Sequence, residues 1–181
     1  MLYTRKGDKG DTYFFGSKKR ASKSSCQTEA LGALDEINTL LGLCRAKAKN
    51  AEIQIEGKSI YAILEVVQQN LFIIQAAVAG ADKKITQPKI DEIEKIIDSI
   101  ERKLPPIKTF FLPGATELSA LLDYARAVSR KTERRVVKQS EESEVAPEIL
   151  QYLNRLSSLL YALVRIVNLK SEVKETPPSY E

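Results

Sequence analysis

The chain has 181 residues, of which 43% are hydrophobic and 29% are charged, and its formal net charge is +4. This size and balance are typical of one globular domain and exclude both intrinsic disorder and a fibrous repeat. The chain contains no histidine and only two cysteines, Cys26 and Cys44. This composition excludes imidazole zinc sites, closed thiolate sites and Ser-His or Cys-His catalytic triads.

Domain organisation and location follow from the same composition. The sequence contains no uninterrupted run of about 18 apolar residues, and residues 1–6 lack the apolar core and cleavage site of a signal peptide. We therefore expect a cytoplasmic protein with a single domain over residues 1–181. It is divided into an N-terminal segment (1–26), a helical bundle (27–170) and a carboxyl-terminal tail (171–181) that we expect to be frayed.

The N-terminal segment alternates glycines with charged and hydroxyl residues. Between positions 4 and 12 it reads Thr4-Arg5-Lys6-Gly7-Asp8-Lys9-Gly10-Asp11-Thr12, and Lys23 follows further along. Glycines let backbone amides converge on an anion, while lysine, arginine and threonine donate hydrogen bonds to phosphate oxygens. This is the chemistry of a phosphate site, although the spacing is not that of the Walker motif. On spacing alone, a flexible, solvated basic arm is the favoured interpretation.

Five blocks of apolar residues at helical spacing follow the N-terminal segment. They cover residues 31–44, 60–78, 90–100, about 115–139 and 147 to about 169. Gly80 follows the second block and Pro105-Pro106 the third, where the missing amide and fixed φ of proline end a helix. Such lengths with short connections are typical of antiparallel helices packed side by side. The sequence therefore predicts an all-α fold, a five-helix antiparallel bundle with an irregular, ligand-binding N-terminal segment.

Polar residues interrupt the apolar stripes of the first and fifth helices. Asp35 and Asn38 lie one turn apart in the first helix, and Asn154-Arg155 lies inside the fifth. A polar group at such a position costs free energy unless a neighbouring helix, a subunit or a ligand pairs with it. As isolated features, these residues are interpreted as structural, and the Asp35 carboxylate would pair well with an arginine.

Three arginines form a stripe along the fourth predicted helix. Arg126, Arg130 and Arg134 are spaced four residues apart, which places their side chains on one face. Like charges at this spacing destabilise a bare helix, and Glu133 relieves only part of that repulsion. A polyphosphate would relieve more, because guanidinium groups bind phosphate oxygens bidentately. A solvated basic face of a surface helix remains the alternative.

Taken together, these features resemble the PduO-type ATP:cob(I)alamin adenosyltransferases, also called corrinoid adenosyltransferases. The resemblance covers nearly the whole chain and rests on six motifs in the same order. They are YTRKGDKG from Tyr3, RASK from Arg20, EALGALDEIN from Glu29, FFLPG from Phe110, the stretch from Ala125-Arg126 to Glu133-Arg134-Arg135-Val136-Val137, and YLNRLS from Tyr152.

The resemblance implies a fold, a reaction and an assembly. Members of this family are five-helix bundles that assemble as homotrimers with the active site between neighbouring subunits. In their reaction the cobalt of cob(I)alamin attacks the 5′ carbon of ATP, which releases triphosphate and forms adenosylcobalamin. The resemblance also implies Mg²⁺ on the phosphates, and we predict no protein ligand for the metal.

The resemblance assigns roles to particular residues of this chain. It implies that ATP is held by Thr4, Arg5, Lys6, Gly7, Thr12 and Lys23 from the N-terminal side and by Arg130, Glu133, Arg134 and Asn154 from the helices. Asp35 and Arg126 match a salt bridge that joins subunits near the corrinoid. Phe110 matches the aromatic residue that displaces the lower axial ligand of cobalt. We thus take Arg130, Asp35, Arg126 and Phe110 as candidate catalytic residues.

Two alternative functions remain open from the sequence. One is a basic helical module that binds nucleic acid through the N-terminal segment and the arginine stripe. The modest net charge and the acidic residues among the bases disfavour it, and we expect neither a nucleic-acid nor a membrane partner. The other is an ATP sensor on the same scaffold that has lost catalysis. Small departures from the family pattern, such as Lys131, Ala115 and Ser158, affect the expected fine geometry and not the reaction.

Overall fold

The computed structural model describes residues 3, 5–14 and 20–181 of the chain. Its described part contains five α-helices, which confirms the predicted all-α class. They are α1 (Cys26–Ala48), α2 (Ile60–Val78), α3 (Gln87–Glu101), α4 (Glu117–Ser140) and α5 (Pro147–Lys170). The predicted blocks all fall on these helices, and the observed ends differ from the predicted ones by only a few residues at most positions.

Ion pairs and hydrogen bonds between helices show that α1 runs antiparallel to α2 and to α4. Between α1 and α4, Glu36 pairs with Lys131 and Lys47 pairs with Glu117. The residue numbers rise along one helix as they fall along the other, so the two chain directions are opposite. The helices pack in the spatial order α2, α1, α4, α5, α3. Buried apolar side chains from all five join in one core. The longest buried stretch is the second half of α5, which lies between α3 and α4.

Hydroxyl side chains at the helix starts explain where the helices begin. The Ser25 hydroxyl accepts a hydrogen bond from the Thr28 amide at the start of α1, and Ser59 does the same at the start of α2. Thr116 and Ser119 form a reciprocal capping box at the start of α4. These bonds satisfy amides that have no partner inside the helix. In α3 and α5, a proline occupies the first turn instead.

Two short hairpins were not predicted from the sequence. The N-terminal segment, expected to be irregular, contains β1 (Asp11–Tyr13) and β2 (Arg20–Ser22), which pair antiparallel with Thr12 opposite Ala21. A second hairpin of β3 (Gln54–Ile55) and β4 (Lys58–Ser59) leads into α2. Strands of two or three residues are too short to show an alternating apolar pattern, so sequence periodicity could not reveal them.

The carboxyl-terminal tail, expected to be frayed, is held against the bundle. The Val173 amide donates a hydrogen bond to the carbonyl of Asn168 at 3.2 Å, and the Thr176 carbonyl accepts one from the Leu112 amide at 2.8 Å. The Glu175 side chain is only 16% exposed. The expectation was wrong because sequence composition does not show that a polar tail has a buried charged partner on α5.

Helix α2 is long and apolar enough, by length and composition, to cross a membrane. In the bundle its buried side chains, which include Ile63, Leu64, Val67 and Leu71, belong to the shared core. Core helices of soluble proteins commonly have this composition, so the feature alone is weak support for a membrane span.

The two cysteines are free thiols in different surroundings. Cys44 is buried, and burial raises its pKa to about 11. Cys26 is only partly buried, and its thiol donates a hydrogen bond to Glu142 Oε1 at 2.8 Å, which raises its pKa. Because the thiolate is the reactive form, both side chains are poor nucleophiles at neutral pH.

A buried polar network links α2, α3 and α5. Asn70 is 2% exposed, and its Nδ2 donates to the Tyr152 hydroxyl at 3.1 Å. Its Oδ1 accepts a hydrogen bond from Lys89 Nζ at 2.7 Å. Burial also raises the pKa of the Tyr152 phenol, which therefore stays neutral. Each member satisfies the next, as buried polar groups require.

We expect Tyr152→Phe to lower the free energy of unfolding by about 1–3 kcal/mol, because it leaves the buried Asn70 amide without its acceptor. Urea denaturation followed by circular dichroism measures this change. Tyr180→Phe is the control, since Tyr180 is 86% exposed and we expect a change within about 0.5 kcal/mol. Equal effects of the two substitutions would contradict the role of the network.

Candidate active site

The site is built on the solvent-facing side of α4. Burial of Leu122, Ala125, Val128, Thr132 and Val136 on the opposite side turns the arginine stripe outward. Arg130 and Arg134 are exposed, and neither forms a hydrogen bond or ion pair with any residue that the structure describes. Two unpaired guanidinium groups one turn apart form a surface that favours an anion with several charges.

A cavity of about 480 Å³, here called the cationic cavity, lies over these arginines. It is lined by Arg130, Glu133, Arg134, Val137, Lys138, Glu141 and Asn154. Asn154 on α5 donates from Nδ2 to Glu133 Oε1 at 3.0 Å, and its Oδ1 accepts from Arg155 Nη1 at 2.8 Å. The Asn154 amide is therefore fixed at the edge of the cavity. The structure thus brings together four of the predicted ATP residues, Arg130, Glu133, Arg134 and Asn154.

A second cavity of about 550 Å³, here called the aromatic cavity, opens beside the first. Segment 107–112 and α5 form much of its wall, with Phe110, Phe111, Tyr161 and Val164 among the lining residues. Phe110 is 78% exposed, which is unusual for a phenylalanine in a folded chain. The volume and the mixture of aromatic and charged walls are typical of a small-molecule site.

Arg126 lies in the wall of the aromatic cavity and is held within its own chain. Its Nε lies 3.2 Å from Asp123 Oδ1, and its guanidinium lies 5.8 Å from the centre of the Tyr161 ring. Asp35 is exposed on α1 and forms no ion pair with any residue in the described part of the chain. The predicted pair of Asp35 and Arg126 is therefore not formed within one chain.

Arg130 lines both cavities. This predicted site residue therefore lies where the cationic cavity, which suits phosphates, meets the aromatic cavity, which suits a flat ligand. A cation at this junction would stabilise negative charge that develops between two bound reactants.

The N-terminal segment is organised around a cross-strand ion pair. Arg20 pairs with the Asp11 carboxylate and also donates to the Lys6 carbonyl. The hydrogen bond from Arg20 holds the pKa of Asp11 below its usual value. Lys23 Nζ donates to the Gly7 carbonyl at 2.9 Å, and Thr12 lies in β1. Thr4, another predicted ATP residue, lies outside the described residues.

Within this chain the predicted ATP residues form two separate groups. Arg5, Lys6, Gly7, Thr12 and Lys23 do not line either cavity. At the start of α1, Ser24 and Cys26 share a smaller cavity of about 310 Å³ with Lys138, which also lines the cationic cavity.

Sequence reasoning missed several residues of the two cavities. Lys138 and Glu141 line the cationic cavity, and Tyr161, Arg165 and Asn168 line the aromatic cavity. Arg165 and Asn168 interrupt an apolar helix in the same way as Asn154, so that signal could have found them. Nothing in the sequence pattern distinguishes Tyr161 from a core aromatic residue.

We expect Gly10→Ala to loosen the N-terminal hairpin. Gly10 has a φ of +79°, where an added Cβ is strained by about 1–2 kcal/mol, and its carbonyl accepts a hydrogen bond from the Lys23 amide at 2.9 Å. Hydrogen exchange of that amide should become about tenfold faster, since each 1.4 kcal/mol is a factor of ten. In the control, Gly32→Ala, the new Cβ meets no atom within 4 Å and exchange should stay unchanged. Unchanged exchange in Gly10→Ala would contradict the strain.

Comparison with known proteins identifies relatives across most of the chain. The family profile described as "Cobalamin adenosyltransferase" matches residues 2–167. A corrinoid adenosyltransferase PduO of Citrobacter freundii is 37% identical over 91% of this chain and 49% of its own length. A corrinoid adenosyltransferase of Bacillus subtilis is 35% identical over 95% of this chain and 89% of its own. The chain thus spans about half of the first relative and most of the second.

Solved structures show the same fold. One single-residue variant of a PduO-type ATP:corrinoid adenosyltransferase from Lactobacillus reuteri, complexed with cobalamin and ATP, matches with a TM-score of 0.86 and 29% identity. The match covers 98% of this chain and 99% of that one. Another variant of the same enzyme, with the same two ligands, matches with a TM-score of 0.88 and 28% identity over 99% of this chain and 97% of that one.

Proposed function

We propose that this chain, which belongs to the cobalamin adenosyltransferase family, transfers the 5′-deoxyadenosyl group of ATP to cob(I)alamin. The products are adenosylcobalamin and triphosphate. The observation that carries the proposal is that Arg130 lines both the cationic and the aromatic cavity. A reaction between a polyphosphate ligand and a large flat ligand requires one junction of this kind.

The chemistry explains why a cation belongs at that junction. The electron pair of the cob(I)alamin cobalt forms a bond to the 5′ carbon of ATP, and the bond from that carbon to the bridging oxygen breaks. Its electron pair leaves with the triphosphate, where negative charge therefore increases in the transition state. Arg130 and Arg134 form no ion pair with a carboxylate in the described part of the chain, so their charge is available to the leaving group.

The division of the ATP residues supports a site shared between subunits. Arg130, Glu133, Arg134 and Asn154 would hold ATP from one subunit, and Thr4, Arg5, Lys6, Gly7, Thr12 and Lys23 from its neighbour. A homotrimer supplies three such sites by cyclic symmetry. In the same assembly the unpaired Asp35 carboxylate of one subunit would meet Arg126 of the next, in place of the contact with Asp123.

The corrinoid would bind in the aromatic cavity. Phe110 is exposed at its wall, and we propose that its ring occupies the lower face of the corrinoid in place of the axial ligand. Loss of that ligand makes cobalt easier to reduce to the nucleophilic cob(I) state. Tyr161 and Val164 supply apolar surface in the same cavity.

Mg²⁺ fits this site as an ion bound through the nucleotide. Among the described residues there is no group of three or more His, Cys, Asp or Glu side chains that could hold a metal. The cationic cavity does contain two carboxylates, Glu133 and Glu141. Since Mg²⁺ commonly takes one or two carboxylates together with phosphate oxygens and water, we propose that Glu133 faces it, which replaces the expectation of no protein ligand. The ion would neutralise part of the triphosphate charge.

These carboxylates also disfavour a nucleic-acid-binding module. Glu133 and Glu141 lie among the cations of the same cavity, where they would repel a continuous phosphate backbone. We propose a cytoplasmic enzyme whose substrates are ATP and cob(I)alamin and which has neither a nucleic-acid nor a membrane partner.

We expect Arg130→Ala to lower kcat/KM for adenosyl transfer by about a hundredfold or more, the usual effect of losing a donor that stabilises transition-state charge. The free energy of unfolding should change by less than about 0.5 kcal/mol, because Arg130 is exposed and pairs with no described residue. The assay follows formation of the light-sensitive cobalt–carbon bond from ATP, Mg²⁺ and chemically reduced cobalamin.

Arg102→Ala is the matched control, since Arg102 is an exposed arginine at the end of α3. It should retain wild-type transfer. An unmodified chain that binds ATP but forms no product would instead support the ATP sensor. Parallel losses of transfer and stability in Arg130→Ala would assign Arg130 to structure.

A further inference from the structure

Arg165 is a buried cation in the wall of the aromatic cavity. It lies on α5 and is 3% exposed. Its Nε lies 2.9 Å from Glu175 Oε1, an ion pair across the space between helix and tail, and its guanidinium lies 4.9 Å from the centre of the Phe111 ring. Neither Nε, despite this ion pair, nor Nη1 makes a hydrogen bond with a described residue. A buried charge with so few partners depends strongly on each of them.

The tail and segment 107–112 meet at this arginine. Asn168, one turn further along α5, donates from Nδ2 to the same Glu175 oxygen at 3.2 Å. The next residue of the tail, Thr176, accepts a hydrogen bond from the Leu112 amide at 2.8 Å. Arg165 thus contacts the tail through Glu175 and segment 107–112 through Phe111, while the tail and the segment are bonded to each other.

Segment 107–112 has little other support. It contains no helix or strand, and Ile107, Phe110 and Leu112 are all more than half exposed. Segments with few buried contacts open at a low free-energy cost. The Phe111 contact with Arg165 and the Leu112 bond to the tail therefore decide how well Phe110 is positioned.

We propose that Glu175 and Arg165 are positioning residues for the corrinoid site. The Glu175 carboxylate fixes the Arg165 guanidinium and the tail, and these two fix segment 107–112 with Phe110 at the wall of the aromatic cavity. The tail is then a structural part of the corrinoid side of the site and contributes nothing to the cationic cavity, whose lining residues include none from the tail. The expected change in the KM for cob(I)alamin rests on the proposed function. The expected effect on segment 107–112 rests on the fold alone.

Glu175→Gln tests the proposal because it removes the charge and keeps the shape and the acceptor for Asn168. Hydrogen exchange of the Leu112 amide, measured without substrates, should become about tenfold faster, the effect of weakening one charge-assisted contact. The KM for cob(I)alamin should rise by about fivefold or more, while the KM for ATP stays within about twofold.

Glu172→Gln is the matched control, since Glu172 is an exposed glutamate of the same tail with no ion pair in the described part of the chain. It should match the wild type in both measurements. Phe111→Leu, which removes the ring beside the guanidinium, should also speed exchange of the Leu112 amide.

Two results would overturn the proposal. One is equal exchange of the Leu112 amide in Glu175→Gln, Glu172→Gln and the wild type. The other is a rise of both KM values together, which would mean a general loss of structure. Absence of transfer by the wild-type chain would overturn the proposed function only, because the exchange measurement needs no catalysis.

Discussion

The geometry of the candidate site depends on how α4 is buried between α1 and α5. A helix repeats every 3.6 residues, so burial of Leu122, Ala125, Val128 and Val136 leaves Arg130 and Arg134 on the solvent side. Ion pairs from Glu29 and Glu36 on α1 engage Arg135 and Lys131. The cations without such partners are the ones that face the cationic cavity. One helix therefore supplies both core packing and unpaired charge.

Sharing of Arg130 between two cavities links the fold to the chemistry. Segment 107–112 and α5 build a space with aromatic and charged walls beside the cationic cavity, and a cation at their border can act on charge that forms between reactants. Among the described residues, Lys6 and Lys23 next to the N-terminal hairpin, which is held by Arg20 and Asp11, line neither cavity of the same chain. This separation is the physical reason why we propose that the complete site lies between subunits.

The sequence predicted the helices well because each has a long apolar stripe and a clear capping or proline signal, as at Ser25 and Pro147. The resemblance to a known family grouped Arg130, Glu133, Arg134 and Asn154, and all four line the cationic cavity. Their role in binding ATP stays a prediction. Sequence reasoning missed the short hairpins, which have too few residues to show a period. It also missed the docked tail, since pairing of Glu175 with Arg165 across ten positions depends on tertiary packing.

The most direct test of the shared site mixes two inactive variants in one assembly. Arg130→Ala lacks the helix side, and a chain with Arg5→Ala and Lys6→Ala lacks the N-terminal side. If the two sides come from different subunits, equal mixing of the unfolded or dissociated chains followed by reassembly should restore about a quarter of the wild-type turnover, the fraction of sites with both sides intact. Turnover that stays at the mean of the two separate variants would contradict the shared site and place ATP within one chain.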